Sequence, residues 1–147
     1  MNFPIKTISE LQSISSAMKW QYFEKLVAFI FEQNNFDAKQ NVIVKDGYGI
    51  KRQFDVIAKR YDTTYLIECK KWKNRKQKES ALRSAVAKHL ERCALYAALL
   101  GKALAEKHDP GVPLIVTLLE ENITEHDGVV IVPIMKLNWF INNFDSI

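Results

Sequence analysis

The segment from Gln40 to Lys70 leaves this chain little choice but two consecutive β-hairpins. Three runs of strand-forming residues, Gln40–Lys45, Lys51–Lys59 and Thr64–Lys70, follow one another with only short breaks. The first break, Asp46-Gly47-Tyr48-Gly49, combines an aspartate with two glycines, the residue types that tight turns demand. The second, Arg60 to Thr63, is too short for a crossover, so the strands it joins are antiparallel neighbours. A loop centred between Tyr61 and Asp62 also fixes the register. Arg60 then lies beside Thr63, Ile57 beside Leu66 and Asp55 beside Glu68.

Helical periodicity brackets these strands. Trp20, Phe23, Leu26, Val27, Ile30 and Phe31 recur at the 3.6-residue spacing, with Ser15 or Ser16 as cap and Asn34-Asn35 as stop. Glu79 to about Lys107 is alanine-rich and helix-forming, and ends at Asp109-Pro110-Gly111. Leu114–Leu119 and Val129–Val132 read as short buried strands, and Ile134–Asn143 as a closing helix. The order is α-β-β-β-α-β-β-α. The long helix returns the chain, so the fourth strand can lie parallel to the third in a mixed sheet with helices on both faces. This is an α/β sandwich. No repeat or linker divides it, so residues 1–147 are expected to form a single domain.

With 48% hydrophobic residues the chain can build a core, and no apolar run of about 18 residues predicts a membrane span. The start, MNFPIKTISELQ, lacks the pattern of a signal peptide, and Cys69 and Cys93 lack metal-site spacing. A cytoplasmic protein with free thiols is the expectation.

The chemistry gathers at the end of the third strand, in YLIECKKWKNRK. Side chains alternate across a strand, so Leu66, Glu68 and Lys70 share one face while Tyr65, Ile67 and Cys69 share the other. Asp55 and Glu68 both lie in apolar strands, where unpaired carboxylates are uncommon. Facing each other they repel, and burial opposes their ionisation. A divalent cation such as magnesium or manganese removes that conflict, because hard oxygen donors suit it.

Asp55, twelve intervening residues, then Glu68-Cys69-Lys70, all after an amphipathic helix carrying Glu24, resembles the PD-(D/E)XK nuclease superfamily. RQFDVIAKR and YLIECKKWK look most like the Mrr-type restriction endonucleases and the archaeal Holliday-junction resolvases. The resemblance implies a restriction-endonuclease-like α-β-β-β-α-β core over roughly residues 16–120. It implies Mg2+ or Mn2+ held by Asp55, Glu68 and the Cys69 main-chain carbonyl. Lys70 would orient and activate the attacking water, and Glu24 matches a further acidic residue of many members. Phe54 stands where the superfamily has proline, and no Gln-x-x-x-Tyr follows the site strand. The implied activity is metal-dependent hydrolysis of DNA phosphodiesters, double-stranded or branched, by a homodimer. A nuclease-fold module that binds nucleic acid or protein without cutting is the alternative.

Charge is concentrated beside that site. Residues 68–92 hold nine Lys or Arg against three Glu, a net of +6, whereas the rest of the chain has 12 basic and 14 acidic residues. Lys71, Lys73, Arg75 and Lys76 are candidate phosphate contacts, with Arg52 and Gln53 as further ones. The other reading is a solvated face. His89 is expected near the middle of the basic face of the long helix. Trp72 either stacks on a base or covers the helix start.

Overall fold

A computed structural model describes residues 20–71, 78–103, 111–118, 120 and 124–143. Helix α1 (Trp20–Gln33) is followed by strands β1 (Asp37–Lys45), β2 (Lys51–Arg60) and β3 (Thr63–Lys70). Helix α2 (Lys78–Ala103), strands β4 (Val112–Thr117), β5 (Glu125–His126) and β6 (Val129–Pro133), and helix α3 (Ile134–Asn143) complete the order. The six strands form one mixed sheet in the order β1-β2-β3-β4-β6-β5. This is the α/β architecture expected from the sequence and is compatible with a restriction-endonuclease-like fold. The proposed caps Ser15 and Ser16 and the expected end of the long helix near Lys107 lie outside the described residues.

Both hairpins form, and the β2–β3 register is the expected one from Arg60↔Thr63 through Ile57↔Leu66 to Val56↔Ile67, but the ladder stops short of the expected Asp55–Glu68 pair. Tyr61 takes the positive φ (52°) that so tight a loop requires. Strand β4 runs parallel to β3, with Glu68↔Ile115 and Lys70↔Thr117 in register. The crossover through α2 makes that pairing possible. The sequence reading omitted β5. It pairs antiparallel with β6 around Asp127-Gly128, both at positive φ, an Asp-Gly hairpin signal that two-residue strands made easy to miss.

The end of α1 follows directly from its residues. Asn35 adopts the left-handed conformation (φ 67°), its N–H donates to Glu32 O, and the Phe36 N–H donates to Phe31 O. This pair of bonds is a Schellman cap, and its usual apolar contact is made by the rings of Phe31 and Phe36, 5.2 Å apart. Arg60, at the end of β2, closes the assembly: it donates to Asn34 O at 2.8 Å and stacks 4.3 Å over the Phe36 ring. The helix end is thereby tied to the second hairpin.

The helices cover opposite faces. Phe23, Leu26, Val27, Ile30 and Phe31 of α1, with Ile134, Leu137, Phe140 and Ile141 of α3, pack against Val56, Tyr65, Ile67, Cys69 and Val116. Beneath α2, Leu82, Ala85 and Val86 meet Ile115, Val129 and Ile131, while Cys93 and Tyr96 meet Phe54 and Leu66. Gly111 (φ 89°) leads into β4 where a Cβ would lie 2.5 Å from Leu66 Cδ1, so both the backbone conformation and the packing of the Leu66 side chain call for a glycine there. No helix among the described residues is long and apolar enough to cross a membrane.

Candidate active site

The side-chain alternation of β3 delivers its polar end as the sequence implies. Leu66 packs beneath α2, and Tyr65, Ile67 and Cys69 pack toward α1. Glu68 and Lys70 therefore emerge together on the α2 side, with Lys70 Nζ 3.2 Å from Glu68 Oε1. Glu68 is only 6% exposed.

Asp55 reaches this spot through an interruption of the sheet. The β1–β2 ladder passes from Gln40↔Val56 to Val42↔Phe54, stepping over Asn41 and Asp55, and Asn41 has φ 52°. The β2–β3 ladder extends to Val56↔Ile67 and goes no further. Phe54 and Ile57, three residues apart, pack on the same side with Leu66, whereas Val56 and Ala58 pack toward α1. Strict alternation would put Phe54 and Ile57 on opposite faces, so β2 rotates about Asp55. The expected ladder pairing of Asp55 with Glu68 is therefore replaced. Asp55 Oδ2 instead accepts the backbone N–H of Cys69 at 2.8 Å.

This position is electrostatically costly. Burial, then the negative charge of Glu68, push the Asp55 carboxyl up to about 7. Glu24 adds to the rise, while the Cys69 N–H and Lys70 oppose it. Glu24 itself is 4% exposed. It lies on the sheet-facing stripe of α1, one residue after Phe23 and three before Val27, which is why a carboxylate on a surface-type helix comes to be buried. Burial likewise pushes the Cys69 thiol well up, and its side chain sits among the α1 core residues, so it is no nucleophile.

Among the described residues no three His, Cys, Asp or Glu side chains form a ready metal cage. The donor chemistry nonetheless fits a hard divalent cation. Magnesium keeps several waters and takes only one or two carboxylates from a protein. Asp55 and Glu68 are two carboxylates whose mutual repulsion a cation would relieve, and the Cys69 carbonyl belongs to the same strand end.

Two residues of α2 complete the surroundings, and sequence reasoning gave neither its place. Arg92 Nη1 donates to Glu68 Oε2 at 2.7 Å, so both oxygens of Glu68 are bonded to cations. His89, expected near the middle of the basic face of the long helix, is fully buried. Its Nε2 lies 2.8 Å from Leu66 O, and its ring meets Phe54 edge-on. Burial lowers its pKa from the ordinary 6.5, so it is neutral. The signal was available: Leu82, Val86, His89, Cys93 and Tyr96 recur at spacings of three and four, which places His89 in the buried stripe and Arg92 at its edge.

The candidate DNA contacts are placed unevenly. Arg52 is ion-paired with Glu91 of α2, its Nε 3.0 Å from Glu91 Oε1, and holds that carboxyl below its usual range. Gln53 donates to Asn41 Oδ1 at 3.0 Å. Both are engaged within the protein, on exposed surface beside the sheet interruption. Lys71 follows β3 and is partly exposed. Lys73, Arg75 and Lys76, with Trp72, lie outside the described residues.

Residues 15–98 match the model of a restriction endonuclease family, that of the Mrr catalytic domain. An uncharacterized protein of Archaeoglobus fulgidus is 33% identical over 126 residues, covering 86% of this chain and 92% of its own length. A crystal structure of a protein of unknown function superposes with a TM-score of 0.45 at 22% identity, covering 78% of this chain. The chain spans 58% of that structure's length, and so distant a likeness carries no weight for function. The family match spans more than half of the chain: this chain belongs to the Mrr-type restriction endonuclease family, a nuclease family of the PD-(D/E)XK superfamily.

Proposed function

We propose that this protein is a divalent-metal-dependent DNA endonuclease, with Asp55, Glu68 and the Cys69 carbonyl as metal ligands and Lys70 as the group that acts on the attacking water. The observation that carries the reading is the convergence of Glu68, Lys70 and Asp55 at one interruption of the sheet. The Asp55 carboxyl there is raised to about 7. Such a cost in an otherwise apolar core is characteristic of a functional site. Families of this kind generally use divalent metals. When bound, the ion would polarise the phosphoryl oxygen and offset charge on the leaving oxygen.

The chain's own groups do the rest. Glu68 fixes the Lys70 ammonium at 3.2 Å, so a cation is preorganised where a water must lose its proton and where equatorial phosphate oxygens gain charge. The Cys69 N–H holds one Asp55 oxygen, which orients the other. Glu24, buried beside this pair, biases Asp55 electrostatically and fits the role of a further acidic residue. Lys71, Lys73, Arg75 and Lys76 would hold the DNA backbone without reading its sequence. The substrate is double-stranded or branched DNA, the acting form a homodimer and the location cytoplasmic; all three come from the family likeness and the sequence expectations.

Purified protein should be incubated with linear, methylated, nicked and four-way-junction DNA in magnesium or manganese. Cleavage that disappears in EDTA and in Asp55→Asn supports the reading. Cleavage undiminished by excess EDTA would sink it. Tight DNA binding with no cleavage of any substrate in either metal favours the non-cutting module.

A further inference from the structure

We propose that Arg92 gates the metal site: it holds Glu68 while no DNA is present and exchanges that carboxylate for a DNA phosphate, so that DNA and metal bind cooperatively. The inference rests on the reading of Asp55 and Glu68 as metal ligands.

Glu68 is 6% exposed and engages a cation through each oxygen, Lys70 Nζ at 3.2 Å and Arg92 Nη1 at 2.7 Å. A buried carboxylate needs such partners. The two are not equivalent. Exposure does not separate them, at 29% for Lys70 and 23% for Arg92. Lys70, two residues from Glu68 on the same strand face, is the group given to the attacking water, whereas Arg92 arrives from α2 with no such role and its long side chain has a way out to solvent.

A divalent ion on Glu68 would lie within a few ångströms of that guanidinium, and like charges at this range repel strongly. Arg92 must then find another anion. Its neighbour Glu91 is already taken by Arg52 through Nε at 3.0 Å. The guanidinium fork suits phosphate as well as it suits carboxylate, and Arg92 belongs to the most basic segment of the chain, residues 68–92. A DNA phosphate is the partner that completes the exchange. Arg92 thus has two positions whose balance both ligands bias, and the resulting coupling is reciprocal.

Calcium affinity should be measured by calorimetry, without DNA and with a saturating duplex whose integrity is checked on a gel. Wild type, Arg92→Gln, Arg92→Lys and Glu68→Gln are compared. Without DNA, Arg92→Gln should bind calcium about tenfold more tightly than wild type. DNA offers a phosphate ligand to every variant, so the deciding quantity is the difference in how far DNA tightens calcium binding. That tightening should be about tenfold greater in wild type than in Arg92→Gln, within the usual range of coupling between sites. Equal tightening overturns the gate.

If Arg92→Gln does not fold, Arg92→Lys carries the test. Its ammonium cannot fork onto phosphate, so its coupling must fall below that of wild type, and equality again overturns the gate. Glu68→Gln separates the two readings. It should lose calcium binding; if it binds calcium as wild type does, the metal site itself is wrong and the gate falls with it.

Discussion

The Asp55 carboxylate accepts the backbone N–H of Cys69 at 2.8 Å, so the residue at which β2 leaves its ladder is tied to the position directly after Glu68. The bond favours the charged form of Asp55, yet burial and Glu68 outweigh it and the carboxyl is raised to about 7. Between about pH 4 and 7 the metal-free protein therefore keeps a proton here that an unfolded chain, with its ordinary value of 3.8, has already released.

The sign of the resulting stability effect follows. For a raised carboxyl, the native state binds more protons than the unfolded one between about pH 4 and 7, so stability falls as pH rises through that window. Asp55→Asn keeps an oxygen for the Cys69 N–H and removes the charge. The metal-free variant should melt higher than wild type at pH 8, melt at about the same temperature near pH 4, and cleave nothing. A lower melting temperature at pH 8 would show that Asp55 is stabilising in its own right and remove the electrostatic argument for a metal.

The strands were legible in this sequence because hairpin loops leave no freedom. With the loop between Tyr61 and Asp62, the pairing Ile57↔Leu66 follows by counting. The same counting failed at Asp55 because it assumes unbroken alternation, and the rotation of β2 opposite Asn41 is set by packing on both faces. The Glu68–Lys70 pair needed only the two-residue period of a strand. Arg92 reaches Glu68 across 24 residues through the docking of α2, and no local pattern contains that contact. His89 was misplaced for a related reason: its positively charged neighbours in sequence outweighed its position in the helical period.

His89 is expected to be structural. Its Nε2–H donates to Leu66 O inside the core, and its Nδ1 has no hydrogen-bond partner among the described residues, so charging the ring is unfavourable. His89→Ala leaves a cavity and an unsatisfied carbonyl and should cost about 2–5 kcal/mol. Urea unfolding measures that loss, and cleavage per folded molecule should change only a few-fold. A hundredfold drop in turnover with an unchanged unfolding midpoint would instead make His89 part of the chemistry.

Gly111 should tolerate no side chain. At φ 89° an alanine is strained, and its Cβ would press on Leu66 Cδ1 at 2.5 Å. Backbone strain and overpacking each cost about 1–3 kcal/mol. Gly111→Ala should therefore lower the unfolding midpoint clearly, whereas Gly47→Ala, which meets nothing within 4 Å, should not. Similar midpoints for both variants would mean that the Leu66 side chain and the Gly111 backbone give way without penalty.

Lys70 and Lys71 are adjacent in sequence and should differ in what they do. Lys70 is held by Glu68 at 3.2 Å on the face where Asp55 also converges, while Lys71 follows the strand on partly exposed surface. A group used only in the transition state lowers kcat with little effect on affinity, and a phosphate contact does the reverse. Electrostatic contributions of the first kind are typically about 10²–10³ in rate. Lys70→Ala should bind DNA nearly as wild type does and cleave it slower by that factor. Lys71→Ala should bind less tightly, with a shallower dependence of log K on log salt by about 0.9 for one lost phosphate contact, and cleave normally at saturation. Binding isotherms in calcium beside single-turnover rates in magnesium separate these outcomes. If both variants lose affinity and keep turnover, Lys70 is only another phosphate contact, and the pairing with Glu68 serves to neutralise a buried carboxylate and nothing more.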